Sequence, residues 1–227
     1  MTNKKYFFIG IGGIGMSSIA QYLYEKGNTI LGYDASENRS VKILVKKGVE
    51  VINKLSLDRI PDYMKEEDVI VVYTPAIPDD NIFLKYFRSN GNNPIFKRSE
   101  ILGEISKQSK CIAVAGTHGK TTTTAIISHL FHSSGIHFKA FIGGIMKCFD
   151  SNYINTGNDY IIVEADEYDR SFLNLNANYA VITSIENDHL DIYGDFKSLT
   201  ESFQSFANNV KDVLITDAEI NLNKDFS

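Results

Sequence analysis

The chain has 227 residues, of which 43% are hydrophobic and 22% charged, and its formal net charge is −5. This length allows one large domain or two of ordinary size, and the composition is that of a globular protein. The negative balance gives no reason to expect nucleic acid or an anionic membrane as a partner. The two cysteines, Cys111 and Cys148, form no C-x-x-C pair, so we predict a reduced, cytoplasmic protein.

The N-terminal stretch has one feature of a signal peptide, because Lys4 and Lys5 precede a long apolar run. Four glycines interrupt that run, and they would weaken a helical signal core. The chain also lacks an unbroken apolar run of the length that spans a bilayer. The sequence therefore favours a cytoplasmic protein over a secreted one, and no insertion into a membrane is expected.

Apolar strands alternate with helices along the whole sequence, and this alternation predicts an α/β fold with parallel sheets. The strand pattern restarts at Cys111, so we predict a Rossmann-like domain over residues 1–107 and a P-loop-type α/β domain over 108–227. Strands are predicted at 5–10, 29–34, 49–52, 68–74, 94–98, 111–116, 159–166, 179–188 and 212–217. Helices are predicted at 16–26, 40–48, 81–91, 99–108 and 121–135.

A glycine-rich loop in the first domain joins the first strand to the first helix. Gly10, Gly12 and Gly15 spell G-x-G-x-x-G, in which the glycines allow a tight turn, close approach of a diphosphate, and close packing of helix on strand. Asp34 ends the second strand, where an acidic side chain commonly meets a ribose. The pattern indicates a nucleotide diphosphate site, and by itself it would first suggest an NAD(P)-dependent oxidoreductase.

A second glycine-rich loop, "GTHGKT" over residues 116–121, follows the first strand of the second domain. A complete P-loop would have glycine at position 114, where Val114 stands, so this is a shorter phosphate loop. Its backbone N–H groups can surround a phosphate, Lys120 can bind the β and γ oxygens, and Thr121 can offer a hydroxyl to Mg²⁺. The loop therefore predicts a nucleoside triphosphate site.

Acidic residues and one histidine follow the other apolar strands of the second domain. In a parallel sheet, ligands gather where the strands end, so these side chains should converge on the phosphate loop. Glu164 follows a buried strand directly, and a metal role is predicted for it. For Asp169 and Asp191 a helix cap or solvated loop is favoured. The remaining members of this group are Asp166, Glu167, Glu186, Asp188 and His189.

Six motifs together resemble the Mur ligase family, in family order and over essentially the whole chain. Within the family, the chain most resembles the branch that joins L-alanine to UDP-N-acetylmuramate. The resemblance implies ATP-dependent amide formation through an acyl phosphate in peptidoglycan biosynthesis. The motifs are "GIGGIGMS" at 10–17, "YTPAI" at 73–77, "KRSEIL" at 97–102, "GTHGKTTTT" at 116–124, "EADEYDRSF" at 164–172 and "IENDHLDIY" at 185–193.

The resemblance also implies residue roles, with ATP and Mg²⁺ as the cofactors. Lys120, Glu164 and His189 would be catalytic, and Thr121, Glu164 and His189 would bind the metal. UDP-N-acetylmuramate would lie on Gly10, Gly12, Gly13, Gly15, Asp34, Thr74 and Arg98. ATP would lie on Gly116, Thr117, His118, Gly119, Lys120, Thr121 and Thr122. His118 is expected to face the sugar nucleotide.

The chain departs from the family pattern chiefly in length. Family members continue into the rest of the central domain and a third, C-terminal domain, so we expect little ligase activity from these residues alone. Ser184 stands where many relatives have asparagine. A ligase for a preformed tripeptide, an NAD(P)-dependent dehydrogenase and a non-catalytic remnant that binds the UDP-sugar are the alternatives. A homodimer is compatible with the resemblance.

Overall fold

The computed structural model describes residues 3–186, 193–220 and 222, and the chain divides into two compact units, Met1–Ile101 and Leu102–Ser227. The division falls within a helix, Arg98–Ser106, whereas the sequence pattern placed the domain boundary after residue 107. Among the described helices, none has the length and apolar character needed to cross a bilayer.

The first unit is a sheet of five parallel strands with order β3-β2-β1-β4-β5. Its central strand is rich in aromatic and β-branched residues, which favour extended backbone. The chain first extends the sheet on one side of β1 and then on the other, so the loop after β1 lies at the switch point. The strands are β1 Lys5–Ile9, β2 Thr29–Tyr33, β3 Glu50–Ile52, β4 Ile70–Tyr73 and β5 Ile95–Lys97.

Three helices and the first turn of a fourth belong to this unit, and their ends follow from local sequence. The side chain of Asn38 accepts the Val41 N–H, and Asn81 caps the third helix in the same way. That third helix ends at Gly91, which has a left-handed φ of 74°. The helices are α1 Ile14–Glu25, α2 Arg39–Lys46, α3 Ile82–Asn90 and α4 Arg98–Ser106.

The core of the first unit is aromatic. Phe7 of β1 packs edge-on against Phe83 of α3, with 5.5 Å between ring centroids, and both side chains are fully buried. Tyr33 of β2 contacts the same phenylalanine at 5.0 Å. These contacts fix the strand ends from which the first glycine-rich loop departs.

The second unit is a mixed sheet of six strands with order β11-β10-β6-β9-β7-β8. Its pairs are parallel except β7 with β8, an antiparallel hairpin that the sequence pattern did not predict. The strands are β6 Lys110–Ala115, β7 Phe138–Met146, β8 Ser151–Asn155, β9 Tyr160–Glu164, β10 Tyr179–Ile182 and β11 Val213–Thr216.

In the described part of the second unit, two α-helices lie wholly within the unit: α5, Lys120–Ser133, and α6, Phe196–Asn209. Asp195 caps α6 by accepting the Ser198 N–H at 2.7 Å. A 3₁₀ segment, Tyr168–Asn174, presents Phe172, which stacks on Phe206 of α6 with 4.9 Å between centroids. The turns after β6, β9 and β10 therefore lie at one edge of a well-packed sheet.

Candidate functional site

The first glycine-rich loop turns back over the end of β2. Gly10 has a φ of +82°, and its N–H and that of Ile11 both donate to the carbonyl of Tyr33, at 2.8 and 3.0 Å. The Gly13 N–H then donates to the Gly10 carbonyl at 3.1 Å. A left-handed first residue is what glycine permits, so the turn needs glycine at position 10.

Asp34 braces this loop. Its Oδ2 accepts the Gly12 N–H at 2.8 Å, while its Oδ1 accepts the N–H and hydroxyl of Ser36 at 3.0 and 2.7 Å. A Cβ on Gly12 would lie 2.7 Å from the same Oδ2, so the carboxylate requires glycine there. Asp34 thus has a structural task in the loop, and its predicted contact with a ribose stays a prediction.

The third glycine lies beside an arginine. A Cβ at Gly15 would stand 2.5 Å from Nη1 of Arg98, and the nearest neighbouring atoms there are all from this side chain. Glycine at position 15 thus allows close approach of a guanidinium, and its predicted role in packing helix on strand stays a prediction. The first turn of α1 has no acidic side chain. Arg98 and the positive end of α1 thus favour an anion at this loop.

The second glycine-rich loop is fixed to the end of β10. The Thr117 N–H donates to the Ser184 carbonyl at 3.0 Å, and the His118 N–H donates to the Ser184 hydroxyl at 3.0 Å. Gly116 has a φ of +129°, and a Cβ there would overlap the hydroxyl of Thr183. Gly119, at φ +82°, begins α5. The loop therefore holds its shape through backbone and hydroxyl contacts within this unit.

Lys120 forms a buried ion pair with Glu167. Its Nζ lies 2.8 Å from both carboxylate oxygens, and it also donates to the Gly116 carbonyl at 2.6 Å. The Lys120 side chain is 15% exposed and that of Glu167 is not exposed at all. A pair this deep is costly to break, because one charge would remain buried without its partner. The ammonium is therefore held against the loop.

Glu164 lies against Thr121 and the middle of β7. Its Oε1 accepts the Thr121 hydroxyl at 2.9 Å, and its Oε2 accepts the Gly143 N–H at 2.7 Å. A Cβ on Gly143 would stand 2.5 Å from Oε2, so this carboxylate requires glycine on the neighbouring strand. The hydroxyl and carboxylate oxygens brought together here are ligands that Mg²⁺ prefers.

Of the carboxylates predicted to converge on this loop, those of Glu164, Glu167 and Glu186 lie against residues of the loop. Glu186 donates its N–H to the Thr117 hydroxyl at 3.1 Å, and its carboxylate lies 3.6 Å from Nε2 of His118. The predicted ligand His189 lies outside the described residues. Among those that are described, no three His, Cys, Asp or Glu side chains are grouped to hold a metal.

Sequence reasoning missed three residues of this site. Glu167 was placed in the acidic cluster without a role, although it holds Lys120. Gly143 was not identified, since a glycine pair within a strand signals close approach only when the approaching group is known. Ser184 was noted only as a departure from asparagine, yet its hydroxyl contacts the loop.

Fold and site define an α/β protein with two compact units, each carrying a glycine-rich loop suited to a phosphate. A family model described as Mur ligase family, catalytic domain, matches residues 5–110, and one described as Mur ligase middle domain matches 114–226. The chain belongs to the Mur ligase family, as its motifs predicted.

Curated relatives support the same conclusion. A UDP-N-acetylmuramate–L-alanine ligase of Christiangramia forsetii is 46% identical over 209 residues, covering 91% of this chain and 46% of the relative. One of Porphyromonas gingivalis is 44% identical over 210 residues, covering 92% and 46%. The chain thus spans about half the length of the curated relatives it matches.

Solved structures of Mur ligases have a similar fold. The UDP-N-acetylmuramate–alanine ligase of Thermotoga maritima has a TM-score of 0.85 and 33% identity, with 95% of this chain and 49% of that chain covered. A UDP-N-acetylmuramate:L-alanyl-γ-D-glutamyl-meso-diaminopimelate ligase of Neisseria meningitides has a TM-score of 0.86 at 23% identity, covering 96% and 72%. The second likeness shows the fold alone.

Proposed function

We propose that this chain carries the sugar-nucleotide and ATP sites of an ATP-dependent ligase that joins L-alanine to UDP-N-acetylmuramate in peptidoglycan synthesis. The observation that carries the proposal is the second loop, where Lys120 and the Thr121–Glu164 pair meet on one short phosphate cradle. A dehydrogenase would not use this second phosphate loop. The similarity to curated alanine-adding ligases over most of the chain supports the choice of substrate.

In the first unit, the diphosphate of UDP-N-acetylmuramate would meet Arg98 and the N-terminus of α1. Gly10 and Gly13 shape the turn, and Thr74 lies beside it, with its Cγ2 3.8 Å from where a Cβ of Gly10 would be. Beside Asp34 opens a cavity of about 420 Å³, which suits a nucleoside. Its lining is Asp34, Ser36, Glu37, Val41, Lys42, Val45, Lys46, Val51 and Asn53.

In the second unit, the triphosphate of ATP would lie over residues 116–122. Lys120 would offset the negative charge of the β and γ oxygens, which is the main task of protein groups in phosphoryl transfer. Thr121 and Glu164 would hold Mg²⁺, whose chemistry there is to neutralise charge on the phosphate oxygens. Gly143 keeps Glu164 in place through its N–H, so the strand β7 contributes to the orientation of this carboxylate.

The chemistry so supported is activation of a carboxylate as an acyl phosphate and its capture by an amine. The muramate carboxylate oxygen would attack the γ-phosphorus, and ADP would leave. The alanine amine would then attack the acyl carbon, and inorganic phosphate would leave as the amide forms. His189 is proposed to act with Glu164, as the family resemblance implies.

Calorimetric titration tests the proposal. We expect the chain to bind UDP-N-acetylmuramate and MgATP, and we expect Gly15→Ala to weaken only the first, because its new methyl group displaces Arg98. Binding of NADH with no heat from UDP-N-acetylmuramate would favour the dehydrogenase instead. We expect little or no ligase turnover from these residues alone, and phosphate release that needs both UDP-N-acetylmuramate and L-alanine would contradict that expectation.

A further inference from the structure

The ion pair between Lys120 and Glu167 leaves one of the three lysine donors in only a long hydrogen bond, to the carbonyl of Thr117. An ammonium group has three N–H donors. The carbonyl of Gly116, at 2.6 Å, and the carboxylate of Glu167, at 2.8 Å, take two of them. The contact with the Thr117 carbonyl is long, at 3.4 Å. One N–H can therefore turn towards a bound phosphate without breaking the ion pair.

The main chain of Glu167 is fixed by two further contacts. Its carbonyl accepts the hydroxyl of Tyr193 at 2.5 Å and the N–H of Arg170 at 2.9 Å. The guanidinium of Arg170 lies 5.0 Å above the Tyr193 ring, and its Nε donates to the Ser202 hydroxyl of α6 at 3.3 Å. A chain of contacts thus runs from α6 through Arg170 and Tyr193 to Glu167.

The backbone after Glu167 adopts a rare conformation. Asp169 and Arg170 are consecutive non-glycine residues with left-handed φ angles of 53° and 54°. Such a conformation persists only where surrounding contacts determine it, and it is concentrated at functional sites. Here it turns Arg170 back onto Tyr193, so the strained turn serves the contacts that fix Glu167.

We propose that Glu167 is a positioning residue for Lys120, and that Tyr193 and Arg170 fix Glu167 so that Lys120 offers one oriented N–H to a polyphosphate. Glu167 does not compete with the phosphate, since leaving a wholly buried carboxylate without its cation is unfavourable. The ion pair stays closed when the nucleotide binds. The inference rests on the proposed ATP site and adds to it the group that orients its lysine.

Binding of MgATP to the whole chain tests this role with two substitutions. Glu167→Ala removes the acceptor, and we expect the affinity to fall about tenfold or more. Glu167→Gln keeps an acceptor oxygen in the same place, and we expect it to restore affinity to within about threefold. Tighter binding by both variants would show competition with the phosphate, and a lower melting temperature with unchanged affinity would show a structural role alone. Either result overturns the proposal.

Tyr193→Phe tests the support behind Glu167 and keeps the ring under Arg170. We expect about threefold weaker MgATP binding, because one hydrogen bond to the Glu167 carbonyl is lost. Tyr160→Phe, on β9 of the same unit, is the control and should leave binding unchanged. Equal binding by both variants would remove Tyr193 from the proposal.

Hydrogen exchange of the amides at 116–120 gives a readout that needs no nucleotide. Glu167→Ala should speed their exchange, whereas Glu167→Gln and Tyr160→Phe should not. If the unsubstituted chain fails to bind MgATP, the proposed ATP site is wrong, while the exchange measurement still decides whether Glu167 orders the lysine loop. Unchanged exchange in Glu167→Ala would overturn the positioning role independently of that result.

Discussion

The two glycine-rich loops use carboxylates in different ways. In the first loop, Asp34 accepts a backbone N–H from Gly12, and the cation beside the loop, Arg98, comes from a distant helix. In the second loop, the carboxylates of Glu164 and Glu167 bind the side chains of Thr121 and Lys120, which belong to the loop itself. The carboxylate at the first loop thus accepts from the main chain of the loop, whereas the two carboxylates at the second contact loop side chains that are proposed to bind ligand.

This difference predicts how each loop responds to substitution. The groups that donate to the Asp34 carboxylate are neutral, so replacing Asp34 costs hydrogen bonds. Glu167 and Lys120 form an ion pair that is largely buried, so removing either partner leaves the other without it. Changes in the second loop should therefore affect stability more than equivalent changes in the first, and they should affect ligand binding at the same time.

Lys120→Ala should have the largest effect. It leaves Glu167 buried without its cation, and we expect the free energy of unfolding of the second unit to fall by about 3–5 kcal/mol. The Cys111 thiol can report the loss, since burial raises its pKa to about 12 and keeps it protonated and unreactive in the folded state. Its rate of alkylation should rise sharply in the variant, while exposed Cys148 reacts in both proteins.

The double variant Lys120→Ala, Glu167→Gln separates charge from shape. An amide at position 167 needs no cation, so most of the lost stability should return, whereas MgATP binding should not. If the single variant is as stable as the unsubstituted chain, the ion pair contributes little and the contrast between the loops is lost.

Gly143→Ala should have the next largest effect. The added methyl group would stand 2.5 Å from Oε2 of Glu164, and relief of that overlap should cost about 1–3 kcal/mol. Because Glu164 must move, the dependence of nucleotide binding on Mg²⁺ should weaken as well. Gly13→Ala in the first unit is the control, since the nearest atom to its Cβ would lie 3.4 Å away. Titrations of ATP with and without Mg²⁺ make the comparison.

Asp34→Asn should cost less, about 1–2 kcal/mol, in the first unit. A carboxylate accepts through both oxygens here, while an amide has one oxygen and would point its N–H₂ at a donor. Urea denaturation followed by circular dichroism measures the change, because the chain has no tryptophan. Ser36→Ala, which removes only the hydroxyl partner, is the control. A cost as large as that of Lys120→Ala would contradict the distinction between the loops.

Much of the fold could be predicted because buried parallel strands are near-continuous apolar runs. The first unit followed its pattern closely, and its loop fell between β1 and α1 as expected. The hairpin β7–β8 was missed because Gly143 and Gly144 interrupt its apolar pattern, and glycine is unfavourable in an isolated strand. Only the carboxylate of Glu164, which is distant in sequence, explains the glycine at position 143.

The candidate site was predictable where one motif places several groups, as in residues 116–121. It was not predictable where a side chain had several chemically equal candidates for a partner. The cluster after β9 offers Asp166, Glu167 and Asp169, and which of them reaches Lys120 depends on the left-handed turn that follows. Spacing along the sequence carries no information about that turn.

Gly13→Ala should have the smallest effect on stability and for that reason is informative about the first loop. Gly13 has φ −57° and ψ 141°, which alanine adopts freely, and the nearest atom to its Cβ would be the Gly10 carbonyl oxygen at 3.4 Å. We expect a change within about 0.5 kcal/mol. If the diphosphate approaches the main chain here, the methyl group will nevertheless weaken UDP-N-acetylmuramate binding, because it occupies space that only glycine leaves open. Unchanged affinity would place the diphosphate elsewhere, with Arg98 rather than the loop as its main contact.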